Sequence, residues 1–394
     1  MGNRVILHCD LNNFFASVSL LSNVTLYNLP VAVCGSVEAR HGIVLAKNEI
    51  AKSFGVKTAE AVWEAKRKCP DLVTLPPDYK KYNEYSLLAR KIYERYTDLI
   101  EPFGIDECWL DVTGSTRVFG SGEEIAHRIK NEIKRELGIT ASVGVSFNKV
   151  FAKLGSDMKK PDAVTVISKE NFREKVWPLP ASDLLFIGKN TAEKLRSSGV
   201  FTIGDIALCD EKMLSRLLGK NGLMLKVYAM GEDISPVTPP REDNMPKSIG
   251  RSVTPSCDIK DREEVWKIFL EISEDISRQL HTKDLYATCI QVHTRDTSLN
   301  IKEFGKTFST PSNISIILAK KALAIFEDNY KWSLPLRSVG FRVTGLKNDN
   351  IAIQQDIFGD INEDKKAELI EDSILTLRKK FGDDSIKRGR NVKK

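Results

Sequence analysis

Two adjacent acids, Asp106 and Glu107, sit in a run of strand formers, Ile100-Glu101-Pro102-Phe103-Gly104-Ile105-Asp106-Glu107-Cys108-Trp109-Leu110-Asp111-Val112-Thr113. Neighbouring strand residues point to opposite faces, so the backbone must turn if both carboxylates are to serve one site. Gly104 permits such a turn between a strand entering at Ile100 and one leaving at Cys108. Carboxylates about 4 Å apart repel by roughly 4 kcal/mol at an effective dielectric near 20, a cost that a bound divalent cation would reverse. Taken alone, the pair reads more simply as two solvated acids on an exposed turn. Asp10 is a third candidate. It closes a predicted buried strand over residues 4–9 and precedes a helix start over residues 11–18, a place for a cation and an anion together. A plain helix cap is the common reading of such an aspartate.

The elements around these acids decide whether they meet. Residues 82–97 form an amphipathic helical pattern, with Tyr85, Leu88, Ile92 and Tyr96 on one face. Residues 122–137 form another, with Ile125, Ile129 and Ile133. A strand is predicted over 139–145, a helix over 148–158 and a strand over 164–167. The order describes a sheet with helices laid on one face, as in ferredoxin-like α/β sandwiches. In such a fold Asp10, Asp106 and Glu107 converge. The insert before the first long helix carries a strand and short helix over 43–56, ended by Gly55, and a second short helix over 59–68. It holds Lys47, Lys52 and Lys57, any one of which could reach a phosphate, and shows no strong core of its own.

Farther on, residues 186–206 read as a short helix, a tight Ile-Gly turn and a second helix. Gly188 and Lys189 would offer backbone N–H groups to a phosphate without reading a base. Pro236, Pro239, Pro240 and Pro246 mark a linker over 235–246. A second α/β sandwich follows: strand 247–254, helix 261–280, strands 285–293 and 301–308, helix 314–329 and strand 336–343. Its Arg251, Arg337 and Arg342 either line a strand face on a DNA backbone or are plain surface arginines. Ile357-Phe358 lies among polar residues, as an anchor for a partner's pocket or for its own domain. A helix over 362–380 and a basic tail over 387–394 end the chain.

At 394 residues with 42% hydrophobic content, the chain supports two to four domains with ordinary cores. Its net charge of +6 fits an anionic partner without demanding one. Seven cysteines, an odd number without a close-spaced pair, suit reduced cytosolic thiols. The apolar run in the first ten residues is too short for a signal peptide or a membrane span, and no other stretch is long and apolar enough to cross a bilayer.

Several stretches in order resemble the motifs of Y-family (DinB/UmuC-type) translesion DNA polymerases. They are His8-Cys9-Asp10-Leu11-Asn12-Asn13-Phe14-Phe15-Ala16-Ser17-Val18, Gly104-Ile105-Asp106-Glu107-Cys108-Trp109-Leu110-Asp111-Val112, Gly144 to Lys153 with Asp157-Met158-Lys159-Lys160-Pro161, and Lys247-Ser248-Ile249-Gly250-Arg251. The likeness covers nearly the whole chain. It implies an α+β multidomain fold: a ferredoxin-like palm (1–19 and 78–167), small fingers (20–77), a helical thumb with a helix-hairpin-helix (168–234), the linker, an α/β little finger (247–346) and a C-terminal tail (347–394).

By the same resemblance, Asp10, Asp106, Glu107 and the Leu11 carbonyl hold two Mg²⁺ ions. The N–H groups of Asn13, Phe14 and Phe15 cradle the β and γ phosphates, and Lys52 and Lys160 add positive charge there. Phe15 falls at the steric gate against a ribose 2′-hydroxyl. The implied activity is low-fidelity, template-directed extension of a primer with deoxynucleoside triphosphates past lesions. No stretch remains for a proofreading exonuclease. Gln354-Gln355-Asp356-Ile357-Phe358 resembles a bacterial sliding-clamp-binding pentapeptide, with Ile357 in place of the usual Leu. The implied setting is the bacterial cytoplasm, with no membrane contact, and the implied form a monomer on primer-template DNA. Three departures stand out: Gly104 replaces the motif's Ser, Glu49 stands where many members have a Tyr, and Lys52 replaces an Arg. A catalytically decayed DNA- and clamp-binding accessory protein is the alternative, against which the intact acids argue.

Overall fold

The strand Ile6–Leu11 is buried along its whole length, and its two faces organise the elements around it. Its apolar side chains alternate with His8 and Asp10, so both faces need a cover. The computed structural model describes residues 4–36, 42–240, 245–348, 361–382 and 385–386. These fall into two units, one of residues 1–35 and 42–242 and the other of 36–41 and 243–394.

In the first unit, Ile6–Leu11 is the middle strand of five, flanked by Glu107–Asp111 and Ala141–Ser146, both antiparallel to it. Ile100–Pro102 extends the sheet beyond Glu107–Asp111, and Val164–Ile167 runs parallel beyond Ala141–Ser146. Leu7, Cys9 and Leu11 face a core built with the helices Tyr79–Tyr93 and Gly122–Leu137, through Tyr82, Ile92, Ile125, Ile129 and Ile133. The second of these helices starts at a capping box. Ser121 Oγ accepts the Glu124 N–H at 3.3 Å, and the Glu124 carboxylate accepts the Ser121 N–H at 2.7 Å.

The expectation that all helices lie on one face is corrected by the helix Lys149–Met158. It packs on the opposite face, where Ile6, Trp109 and Ala152 cluster and His8 Nδ1 lies 2.8 Å from Ser156 Oγ. Gly144 makes this possible. A Cβ there would stand 1.9 Å from the Ala152 carbonyl oxygen and 2.5 Å from the Ser156 nitrogen, so only glycine lets the helix backbone lie directly on the strand.

The insert also differs from expectation. Its strands Val31–Cys34, Val44–Lys47 and Val73–Leu75 form a small sheet with Val31–Cys34 in the middle. Its own buried cluster includes Ala32, Val44, Ala51, Val62, Ala65 and Leu72. The helices Lys189–Ser197, Ile203–Leu208, Glu211–Leu218 and Lys220–Ala229 surround Leu195, Ile203, Leu214 and Leu225.

The second unit is an antiparallel sheet in the order Ile301–Ser312, Leu285–Asp296, Leu336–Asn348, Ser248–Val253. Helices Arg262–Thr282 and Ser315–Asn329 pack on it through Phe269, Ile276, Leu318 and Phe326. The helix Ile361–Phe381 joins this unit by buried Glu371, whose carboxylate accepts from Ser277 Oγ at 2.9 Å and Ser315 Oγ at 2.6 Å. All seven cysteines are free thiols. Among the described residues, no helix is long and apolar enough to cross a membrane.

Gly144→Ala forces a methyl group into helix backbone and should lower stability by about 1–3 kcal/mol or more. Gly114→Ala, which meets nothing within 4 Å, is the control. Urea unfolding of the two variants reads the difference, and equal midpoints would contradict the close approach.

Candidate active site

Register brings the acids together. Asp10 pairs with Glu107 across adjacent antiparallel strands, which places both side chains on one face. Asp106 sits in the turn just before the strand Glu107–Asp111, and its carbonyl accepts the Leu11 N–H at 3.1 Å. Gly104 adopts φ +119°, a conformation a Ser would resist, so the departure from the family's Ser suits the turn as built. The turn is held from outside, where Ser86 Oγ donates to the Ile105 carbonyl and Arg90 Nη2 to the Gly104 carbonyl at 3.5 Å. Asp10, Leu11, Asp106 and Glu107 line one cleft of about 280 Å³ with Asn13, Phe14, Phe15 and Lys160.

Two lysines reach the carboxylates. Lys160 Nζ donates to Asp10 Oδ2 at 2.7 Å, and Lys153 Nζ stands 3.3 Å from the same oxygen. Glu107 Oε2 lies 2.9 Å from Lys153 Nζ and 3.3 Å from His8 Nε2, at ion-pair distance from each. His8, fully buried, therefore spans from Ser156 Oγ to the back of the Glu107 carboxylate. The loop bearing Lys160 is tied down where Asn12 Oδ1 accepts the Asp162 N–H at 2.9 Å and Lys130 grips Asp162 at 2.9 Å.

The electrostatics are uneven across the three acids. Burial, then the charges of Asp10 and Glu107, push Asp106 up to about 6. Burial also raises Asp10, only partly offset by Lys160 and Lys153. For Glu107 burial again acts upward, but the His8 contact and the Lys153 charge outweigh it and hold the acid down to about 2. Burial lowers His8. Among the described residues, no three Asp, Glu, His or Cys side chains form a preformed metal cage, and lysines engage Asp10 and Glu107. The donor chemistry still fits a hard divalent cation, because the converging groups are carboxylates and one of them is unfavourable as a lone anion.

On the other side of the cleft, the helix Phe14–Leu21 begins at Asn13, whose φ of 49° and ψ of 37° turn the chain sharply into it. The first N–H groups of a helix have no carbonyl partner within it, so those of Asn13, Phe14 and Phe15 are open to an anion. The Phe15 ring stacks on Tyr82 with centroids 4.1 Å apart and planes 9° from parallel. Tyr82 is held in turn by Ser19 Oγ at 2.8 Å. Lys52 does not line the cleft. It is exposed and lies 3.4 Å from Glu49 Oε2, while Glu49 Oε1 accepts from Asn13 Nδ2 at 2.9 Å. Glu49 is thus a link between Asn13 and Lys52 rather than a bare negative charge. Lys47, which donates to Thr58 Oγ1 at 3.0 Å, is the insert's lysine on the cleft.

Sequence reasoning gave no role to Lys153, His8 or Thr58. Lys153 had a signal. Lys149, Lys153 and Asp157 recur every four residues along one helix face, and the first two meet Glu101 at 2.7 Å and Glu107 at 2.9 Å.

The remaining candidates lie elsewhere. Phe186, at φ 69°, turns the hairpin that leads into Gly188, the first cap of the helix Lys189–Ser197. Gly188 and Lys189 are exposed, and a Cβ on Gly188 would meet nothing within 4 Å. The second unit's open sheet face holds a larger cavity of about 410 Å³ with Gln291, His293, Glu303 and Arg342. Arg342 and Arg251 both border this cavity, and Arg337 does not. Arg342 donates to Gln291 Oε1 at 2.6 Å. The guanidinium of Arg251 turns to Asp275 and Glu271 of the packed helix Arg262–Thr282. Arg337 occupies a bulge between the paired residues Leu336 and Ser338, which breaks the strand's alternation, and it does not line the cavity. Residues Gln354, Gln355, Asp356, Ile357 and Phe358 lie outside the described residues.

Residues 9–157 match the impB/mucB/samB family, and residues 246–357 match that family's C-terminal domain. DNA polymerase IV of Acetivibrio thermocellus is 48% identical over 386 residues, covering 98% of this chain and 97% of that protein. DNA polymerase IV 1 of Bacillus subtilis is 37% identical, covering 100% of this chain and 94% of its own length. A solved structure of a Y-family DNA polymerase chimera, built from Dbh and Dpo4, superposes with a TM-score of 0.76 at 25% identity, over 88% of this chain and 100% of that one. The chain belongs to the impB/mucB/samB family, with a Y-family, DNA polymerase IV-like fold.

The raised carboxyl of Asp106 has a stability consequence with a definite sign. A carboxyl whose folded pKa exceeds its unfolded one contributes stability below the unfolded value, near 3.8, and loses it as pH rises through about 6. Asp106→Asn should therefore stabilise the cation-free protein by on the order of 1–3 kcal/mol near pH 8, with no advantage below about pH 4. Added Mg²⁺ should stabilise the unsubstituted protein more than the variant. Urea midpoints at the two pH values check this, and a variant less stable at high pH would contradict the like-charge crowding.

Proposed function

We propose that this chain is a template-directed translesion DNA polymerase, adding deoxynucleotides to a primer 3′ end without proofreading. The observation that carries the reading is the convergence of Asp10, Asp106 and Glu107 opposite an open helix N-terminus in one cleft. It is supported by a full-length likeness to proteins named DNA polymerase IV. The cleft offers what nucleotidyl transfer needs: carboxylates on one wall and anion-binding N–H groups on the other. Nothing observed favours the decayed accessory protein.

Asp10, Asp106, Glu107 and the Leu11 carbonyl would hold two Mg²⁺ ions. These would supply the Lewis acidity that activates the primer hydroxyl and steadies the departing pyrophosphate. The chain's own residues do the rest. The N–H groups of Asn13, Phe14 and Phe15 receive the β and γ phosphates, with Lys160, Lys47 and the more distant Lys52 adding positive charge. Lys160 and Lys153 keep the buried acids compensated while the cleft is empty. The ring of Phe15, backed by Tyr82, walls the sugar's position and excludes a 2′-hydroxyl. Gly188 and Lys189 hold a DNA phosphate, and Arg342 contacts the backbone from the sheet face, with Arg251 and Arg337 at its margins. We assign residues 1–19 and 78–167 to a palm, 20–77 to fingers, 168–234 to a thumb and 247–346 to a little finger. Residues 354–358 anchor a bacterial sliding clamp, and the protein works as a cytoplasmic monomer.

Primer extension with Mg²⁺ tests the reading, which fails if the unsubstituted protein yields no product. Glu107→Ala should cut extension by on the order of 10³-fold or more with primer-template binding retained. Phe15→Ala should raise ribonucleotide incorporation relative to deoxynucleotide by about tenfold or more. Single-turnover incorporation with matched ribo- and deoxynucleotides measures it, and unchanged sugar discrimination would remove Phe15 from the gate.

A further inference from the structure

The helix Val62–Lys68 has two faces of unlike purpose. Val62 and Ala65 enter the insert's buried cluster, together with Cys69 just beyond the helix. The outward face carries Trp63, Lys66 and Arg67, three residues that helical spacing groups together. Trp63 is 65% exposed, so the largest apolar side chain of the helix serves no core. The Arg67 guanidinium lies 5.7 Å from the indole centroid, close enough to support the ring without covering it on both sides.

The face is also held firmly in relation to the cleft. The Val62 N–H donates to the Gly42 carbonyl at 2.8 Å, and the Ala61 N–H to Glu64 Oε2 at 3.1 Å. Ile43 bridges to Ala61, and Leu45, Ala46 and Lys47, which follow it closely in the chain, line the cleft. Thr58, another cleft residue, precedes Trp63 by a single short turn. A surface that begins at the cleft and ends in an exposed indole flanked by two cations matches one ligand chemistry well. An unpaired base stacks on the ring while the adjoining phosphates meet Lys66 and Arg67. A lone exposed indole of this kind reads no base edges, so the contact is independent of sequence.

We propose that Trp63, with Lys66 and Arg67, is a stacking platform for the single-stranded template ahead of the cleft. The proposal rests on the polymerase reading. In that setting the unpaired template must pass near the cleft before it is copied, and a sequence-tolerant platform would hold it extended even where a base is damaged.

The test compares equilibrium binding of a primer-template duplex carrying a 5′ template overhang with that of the same duplex without one. The unsubstituted protein should bind the overhang substrate more tightly. Trp63→Ala should lose about 5- to 100-fold on the overhang substrate and far less on the other, which offers no base to stack. Trp63→Phe should keep most of the gain, since a smaller ring still stacks. It also guards against misfolding as the cause. Lys66→Ala and Arg67→Ala should each lower the salt slope for the overhang substrate by about 0.7. An overhang gain unchanged in Trp63→Ala overturns the platform and leaves the polymerase reading standing. An unsubstituted protein that neither binds primer-template nor extends it overturns both.

Discussion

Asp10 and Glu107 face each other across two strands, with Asp106 one residue away, and the mutual repulsion of these buried acids sets the terms for the rest of the first unit. Water cannot screen them well, so the protein must supply positive charge from within. It does so with Lys153 and Lys160, at 2.9 and 2.7 Å from the carboxylates they hold. Lys153 can arrive only if its helix lies on the sheet itself, and that closeness depends on Gly144. A residue without a side chain on one strand thereby lets a compensating charge reach side chains on two others.

The compensation is incomplete in an informative way. Glu107 has His8 behind it and Lys153 beside it, and it is held low. Asp106 has no such partner and is pushed up. An acid kept half-ready in a cleft that is otherwise ordered is a cost to folding. Proteins retain such costs where a ligand removes them. The opposite wall follows the same logic with the sign reversed, as a helix start whose N–H groups have no partner in the helix faces the same space. Each wall lacks the charge that a cation-bound triphosphate would bring.

Much of this was legible in residue order. The helix over Gly122–Leu137 could be read from its isoleucines, and the strands bearing the acids from their apolar runs and a turn at Gly104. What could not be read was which face each helix takes. The pattern of Lys149–Met158 shows that it is amphipathic but not which side of the sheet it covers, and the decisive contact is a glycine with no pattern at all. The insert's core was missed because its strands of three and four residues are too short for periodicity to stand out. The arginines of the second unit were grouped because all three fall on predicted strands, but a bulge at Arg337 and the ion pair of Arg251 with a helix set them apart.

The insert explains why a small element can matter to a site it does not build. It contributes none of the three converging acids, yet Leu45, Ala46, Lys47 and Thr58 form part of the cleft wall. Val44 and Val56 of its own buried cluster flank these residues in the chain and anchor them. Leu45 and Ala46 make that wall apolar in part, while Lys47 donates to Thr58 Oγ1 at 3.0 Å. The rigid features of the cleft are then the Phe15 ring stacked on Tyr82 and the carboxylates of Asp10 and Glu107, paired across adjacent strands.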